Sequence, residues 1–518
     1  MPIEPYFVDV PMRKSGSNEM EVRQFPVFLP HEVVHHIFSA STCKQFMERF
    51  GASPNVLGKF WEESRKMPWY GEHPWAREIE ANPTACIPIR IHADDAPMSK
   101  RTGIFVANMS PCTPRLQTWL TRLLLFCFPT VLAIEPHSYH PLFEVIAWSL
   151  KFLSPACNHL FPHCDHERRP WPLRSQRARW SEEGAVICGG WSFVFVQLCG
   201  DWKFFKDIMA LKSHYGGDEF CWRCCACKSS GPLCAWDVST HAPWTMAPRS
   251  NIDFLAHLAT QGVGLQHLPG MHVAMLMCDL MHICFLGFSQ LLAGGVLFEL
   301  CEEAHWPRMP TGAWKARLNS QLEIAYRQFQ AWCKLKSVST SQKCFTASRI
   351  SMSTLAKCPC LKAKAANCLN ICRWLTEVTC RQTHSEKAQI RASCLWGFCQ
   401  AISILQGEPM WVQDAAVPHL EEARTLGLES YNWLCWRCGQ DGLYRYPAKP
   451  KLHMFDHCMR DVMSTRLNAV WHWCFSDEDF IGKMRRIAAG THFATMGERC
   501  LERWCMRYFS NLRREQNS

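Results

Sequence analysis

The sequence predicts a mixed α/β chain in which a short strand-bearing core is interrupted by a long helical insertion. Three observations predict it. Ile87-Pro-Ile-Arg-Ile91 alternates with period two, residues 193–198 form an apolar run of strand length broken only by Gln197, and residues 215–450 show helical apolar spacing without alternation. The expected partition is a helical amino-terminal region (1–84), the first part of the core (85–214), the helical insertion (215–446), and a closing segment (447–518). That last segment brings metal-ligand candidates, an acidic helix and a basic tail.

Each element follows from its pattern. Residues 1–80 mix aromatic and charged side chains in short helical patterns, as at 31–50, and end in the turn-prone Met67-Pro-Trp-Tyr-Gly-Glu-His-Pro74. Strands are expected at 87–91, 103–107 and 123–134, and then a helix at 140–153, where Leu142, Val145, Ile146, Leu150 and Leu153 recur at helical spacing. A Pro- and Arg-rich connection (154–184) leads to the strand at 193–198 and a helix at 202–211. Within the insertion, helices are expected at 275–302, 313–338 and 388–405.

Composition narrows the class. A chain of 518 residues with 48% hydrophobic content can bury a large core and is not a disordered polymer. Its net charge of +10 permits a polyanionic partner without demanding one. The 31 cysteines are scattered, many inside apolar segments, which favours reduced core thiols over a disulfide scaffold. The amino terminus has no basic stretch followed by an apolar one, so no signal peptide is expected, and the apolar run 123–134 is too short to cross a bilayer. The expected setting is a soluble, reducing compartment, cytosol or nucleus, with no membrane partner.

Three acids stand where metal-dependent phosphoryl transfer needs them. Asp94 ends Ile87-Pro-Ile-Arg-Ile-His-Ala-Asp94, Asp201 follows the apolar run to Cys199-Gly, and Glu478 opens the helix-like Asp477-Glu-Asp-Phe-Ile-Gly-Lys-Met. Carboxylates at the ends of two buried strands, joined by a third from a helix, can hold two divalent ions, and hard ions such as Mg²⁺ want oxygen ligands. An acid after a buried strand is more often a turn or cap residue, so the joint placement carries the weight. Asp95 competes with Asp94, and Asp477 and Asp479 compete with Glu478.

Cys221-x-x-Cys224 follows Asp201, and His453-x-x-x-His457 precedes Glu478. A two-residue spacer lets both thiolates reach one ion, and His residues four apart on a helix share a face, which suits a tetrahedral Cys₂His₂ zinc site pinning the end of the insertion beside the acids. Cys225, Cys227 and Cys234 are alternatives in the first half, and partly buried thiols without metal are the competing reading. Asp279-Leu-Met-His282 places an acid and a histidine one helical turn apart, a spacing that most often makes a hydrogen bond. His163-Cys-Asp-His166 reads as surface rather than ligand. Arg168, Arg169, Arg174, Arg177 and Arg179, interleaved with Trp171 and Trp180, suit phosphate pairing and base stacking, or equally a solvated charged loop.

Taken in order, Ile87-Pro-Ile-Arg-Ile-His-Ala-Asp94-Asp95, Cys199-Gly-Asp201 with Cys221-Trp-Arg-Cys224, Asp279-Leu-Met-His282, and Lys449-Pro-Lys-Leu-His453 with His457 ahead of Trp473-Cys-Phe-Ser-Asp-Glu478 resemble the successive signatures of DDE-type eukaryotic transposases. The resemblance is to the CACTA-like and KDZ or Plavaka-like groups, relatives of the Transib and vertebrate antigen-receptor recombinases, and it spans residues 85–490. It implies an RNase H-like (retroviral integrase-like) catalytic core interrupted by a helical insertion. In that pattern Asp94, Asp201 and Glu478 would be the DDE triad holding two Mg²⁺ or Mn²⁺ ions. Cys221, Cys224, His453 and His457 would hold one structural Zn²⁺. Double-stranded DNA is the implied partner and the nucleus the implied location, with a second copy of the chain as a candidate partner. Asp95 departs from the glycine expected after the first acid. A catalytically silent DNA- or chromatin-binding protein of the same fold is the alternative, and a zinc-stabilised interaction protein is the third reading.

Overall fold

A β-hairpin opens the chain where helices are expected. In the computed structural model, which describes residues 3–14, 17, 19–99, 102–114, 116–229, 231–382 and 384–516, strands β1 (Tyr6–Arg13) and β2 (Met20–Val27) pair antiparallel from Tyr6↔Val27 to Arg13↔Met20. The expectation of a wholly helical region 1–84 is therefore corrected. Tyr6, Val8, Val10 and Met12 are buried and alternate with exposed Phe7, Asp9 and Arg13, a period-two signal interrupted by Pro11. Helices Pro30–Ala40, Cys43–Phe50 and Pro54–Ser64 do follow.

The chain divides into two compact units, one made of Met1–His214, Arg249–Met277 and Cys474–Ser518, the other of Tyr215–Pro248 and Cys278–Trp473. At the centre of the first unit is a four-stranded mixed sheet of β3 (Cys86–Pro97), β4 (Gly103–Pro111), β5 (Leu123–Pro129) and β6 (Ser192–Cys199), in the order β5-β4-β3-β6. The first three strands form an antiparallel meander, and β6 runs parallel to β3 in a register from Cys86↔Ser192 to His92↔Cys199. Helix His140–Lys151 lies in the β5-to-β6 connection, which is how the chain returns to place a parallel strand. Every residue of β4, β5 and β6 is buried; β5 reads as a continuous apolar run, while β4 and β6 also bury Asn108, Ser110, Ser192 and Gln197.

A single parallel bridge, Leu198↔Leu276, with the Met277 amide donating to the Leu198 carbonyl at 2.9 Å, lies beside β6. Residues 275–277 are expected to begin a helix, because an apolar run without alternation fits either state. Helical structure starts instead with the π-helical segment Met281–Phe288 and continues as Ser289–Glu302.

Two carboxyl-terminal helices cover the sheet. Phe475–Ala488 packs on β3 and β4, and Met496–Gln516 packs on β5 and β2. The second buries Leu501, Trp504, Cys505, Tyr508, Phe509 and Leu512 at helical spacing. Each such side chain contributes about 1.5–3 kcal/mol by leaving water.

The second unit is helical, with Trp314–Leu335, Ala365–Thr379, Glu386–Gly407, Val417–Gln440 and Pro450–Thr465. A Cβ at Gly397 would meet the Gly427 amide nitrogen at 2.6 Å, so glycine lets two helix backbones touch there. Met281–Glu302 is long and apolar enough to cross a membrane, but 78% of its apolar window is buried inside the fold, as in a core helix. All 31 cysteines are free thiols.

Candidate metal centres

The parallel pairing of β3 with β6 brings the first two acids together. Asp94 lies two residues beyond the last β3–β6 pair, His92↔Cys199, and Asp201 lies two residues past that same end. Each offers a carboxylate oxygen within 4.8 Å of the other's. The Asp94 side chain is buried and accepts the Asp95 amide at 2.7 Å, while Asp201 caps helix Trp202–Asp207 by accepting the Phe204 amide at 2.7 Å.

Strand alternation separates Asp94 from Asp95. Arg90, His92 and Asp94 share one face, where Arg90 Nε donates to Ser110 Oγ at 3.0 Å and Asn108 Nδ2 lies 3.4 Å from His92 Nδ1. Asp95 points to the other face, which also carries its cross-strand partner Phe105, and pairs with Lys203 at 3.0 Å. The face with Asp94 is also the one reached by the acidic helix: the Asp477 carboxylate takes a two-point ion pair from Arg122 at 3.1 and 3.2 Å. Burial alone would push that carboxyl up, but Arg122, His92 and Arg90 hold it well below the usual carboxylate range.

The three consecutive acids are thereby sorted. Asp477 is 1% exposed and committed to Arg122, and Asp479 pairs with Lys483 at 2.6 Å. Glu478 is half-buried, on the same helix as both. Asp94 and Asp201 occur together in a group of candidate ligands within 4.8 Å. The sequence reading overlooked Arg122 and Arg90. A lone arginine immediately before the apolar run of β5 was the available signal, since a charge delivered to a sheet must find a partner.

In the second unit Cys221, Cys224, His453 and His457 present donor atoms all within 4.8 Å of one another. Cys224 Sγ lies 3.4 Å from His453 Nε2. The loop supplies amide donors to both sulfurs, Arg223 to Cys221 at 3.3 Å and Ala226 to Cys224 at 3.4 Å. His453 Nδ1 faces the Ala235 carbonyl at 3.2 Å; donation there leaves Nε2 as the ligand nitrogen and orients the ring. His457 Nε2 is buried with no hydrogen-bond partner among the described residues. Trp244 packs against both imidazoles, with ring centroids 4.4 and 4.8 Å away.

The electrostatics suit a cation. Burial pushes the Cys221 thiol up, but the Cys224 hydrogen bond and His457 bring it well below its ordinary value. Cys224 moves up because it donates that bond, and His457 moves up against its own burial because of Cys221. The cluster can hold a metal ion such as zinc. All four ligands belong to the helical unit, and the cluster ties the loop Tyr215–Pro248 to helix Pro450–Thr465. Cys225, Cys227 and Cys234 lie outside the group.

The remaining candidates sort by contact. Asp279 and His282 hydrogen-bond at 2.5 Å, as their spacing suggests. His163 Nδ1 meets Ser181 Oγ at 2.6 Å while His166 Nδ1 meets the Tyr6 hydroxyl at 2.8 Å, so these two imidazoles engage different partners. Of the five arginines expected at nucleic acid, Arg177 is committed to Glu32 at 2.6 Å and Arg169 to Asp165 at 2.9 Å, leaving Arg168, Arg174 and Arg179 exposed. Trp171 donates to the Pro162 carbonyl at 2.7 Å and Trp180 stacks on Phe161 at 4.4 Å, so both indoles take part in packing.

Comparison with known proteins gives no matching family model and no matching curated protein.

Proposed function

We propose that the chain is a transposase-derived DNA nuclease and strand transferase with an RNase H-like core. The observation that carries this reading is the pair Asp94 and Asp201, whose carboxylate oxygens lie within 4.8 Å at one end of two parallel strands. Two adjacent carboxylates repel unless a cation lies between them, and their hard oxygens fit Mg²⁺ or Mn²⁺. The meander β5-β4-β3 with β6 parallel to β3 supports the reading, because it carries both acids to one end of the sheet. When bound, divalent ions activate a water or 3′ hydroxyl and neutralise the leaving oxygen. Asp94 and Asp201 would hold them, and Glu478 would complete the set from the helix anchored by Asp477. Cys221, Cys224, His453 and His457 would hold one structural zinc, and the orphaned His457 Nε2 supports that assignment. A DNA substrate implies a nuclear location.

A second reading has its own observation. Asp201 already serves as a helix cap, as expected of a DNA-binding protein that no longer cleaves. Incubating purified chain with supercoiled DNA and Mn²⁺ separates the two. Nicking that vanishes in chelator and in Asp201→Asn supports the nuclease; salt-sensitive binding without nicking supports the silent protein. No binding to DNA at low salt removes both.

A further inference from the structure

A basic cleft lies between the two carboxyl-terminal helices of the first unit, and its lining includes none of the candidate metal ligands. Helices Phe475–Ala488 and Met496–Gln516 enclose a cavity of ≈ 520 Å³ lined by Arg486, Ile487, Arg503, Met506 and Arg507. Among the described residues, the ion pairs on these helices are Arg122–Asp477, Lys483–Asp479, Arg499–Glu502 and Arg49–Glu515, and none involves Arg486, Arg503 or Arg507. Arg503 donates to the Ile487 carbonyl at 3.0 Å, and Arg507 lies over the Trp119 ring at 5.6 Å. Both guanidinium groups are thus oriented by neutral partners. Three arginines converge on one concavity; Asp479 feels the charge of Arg486, while Arg503 and Arg507 make no ion pair among those above.

Such a site selects a polyanion, because guanidinium pairs with phosphate through two parallel hydrogen bonds. The arginines also form a track. Arg503 and Arg507 lie one turn apart on the exposed face of the last helix, with Arg499 one turn before and Arg514 two turns beyond. Arg486 follows Glu478 by eight residues on the neighbouring helix, about 12 Å along its axis. That is roughly three to four base-pair steps of 3.4 Å.

We infer that this cleft binds the phosphate backbone of the DNA duplex whose scissile bond lies at Asp94 and Asp201, a role that rests on the nuclease reading above. The test measures binding of a fluorescent DNA duplex by the full chain over a range of salt, for wild type, Arg486→Gln, and Arg503→Gln with Arg507→Gln. Each lost phosphate contact should lower the magnitude of the log–log salt slope by about 0.9, and the double variant by about 1.8. Arg507→Gln removes packing over Trp119; if the double variant melts early, Arg486→Gln decides alone. Unchanged slopes in folded variants overturn the cleft assignment even if wild type nicks DNA. Reduced slopes with no nicking by wild type keep the cleft and remove the nuclease reading.

Discussion

Asp477 shows how one residue can set the position of its neighbour. It is 1% exposed, and Arg122 grips both of its oxygens at 3.1 and 3.2 Å. The pair fixes the first turn of the acidic helix against the sheet and so sets where Glu478 starts. Replacing Arg122 with Met strands a buried carboxylate, and stability should fall by about 3–5 kcal/mol, read as a lower urea midpoint. A loss under about 1 kcal/mol would mean that Arg90 and His92 suffice. The sequence could not sort Asp477, Glu478 and Asp479, because helical geometry turns consecutive side chains in different directions and only tertiary partners show which faces the sheet. Asp94 and Asp95 were half legible. Alternation puts them on opposite faces, but which face meets the acidic helix depends on Arg122, far away in sequence.

At the scale of elements, the strands of the sheet were legible because each is short, apolar and bounded by turn signals. The spans expected at 87–91, 103–107 and 193–198 lie within β3, β4 and β6, and the observed strands extend further. The hairpin β1–β2 was missed although its alternation was present, and the pairing of Leu276 beside β6 depends on a contact that no local pattern encodes. The Cys/His cluster was legible from spacing alone, since a loop with CxxC and a helix with paired His need only one approach to close. Its consequence for the fold is testable. Purified protein should carry about one zinc per chain, and Cys221→Ser should lose it and melt earlier, because the loop Tyr215–Pro248 is then no longer clamped to helix Pro450–Thr465. Equal zinc content in wild type and variant would exclude this ligand set.

At the scale of the molecule, the first unit buries histidines that take no proton near neutrality. Burial lowers His31 to about 3 and His73 and His140 to about 4, from an ordinary 6.5. The unfolded chain binds protons at these positions once pH drops below 6.5, whereas the folded chain does not until about 4. Stability is therefore complete above 6.5 and is lost as pH falls through that window, by up to about 1.4 kcal/mol per pH unit for each histidine. Urea unfolding at about pH 7 and about pH 5 should show a lower midpoint at the acidic value; an equal or higher one would contradict buried, neutral histidines.

The central claim is that strand pairing makes Asp94 and Asp201, and not their neighbours, a site for divalent-ion chemistry on DNA. The most direct measurement compares Mn²⁺-dependent nicking of DNA by wild type, Asp94→Asn and Asp95→Asn at equal DNA occupancy. The expected result is nicking by wild type and by Asp95→Asn, whose carboxylate serves Lys203 on the opposite face, with none from Asp94→Asn. Nicking retained in Asp94→Asn, or lost only in Asp95→Asn, would contradict the account.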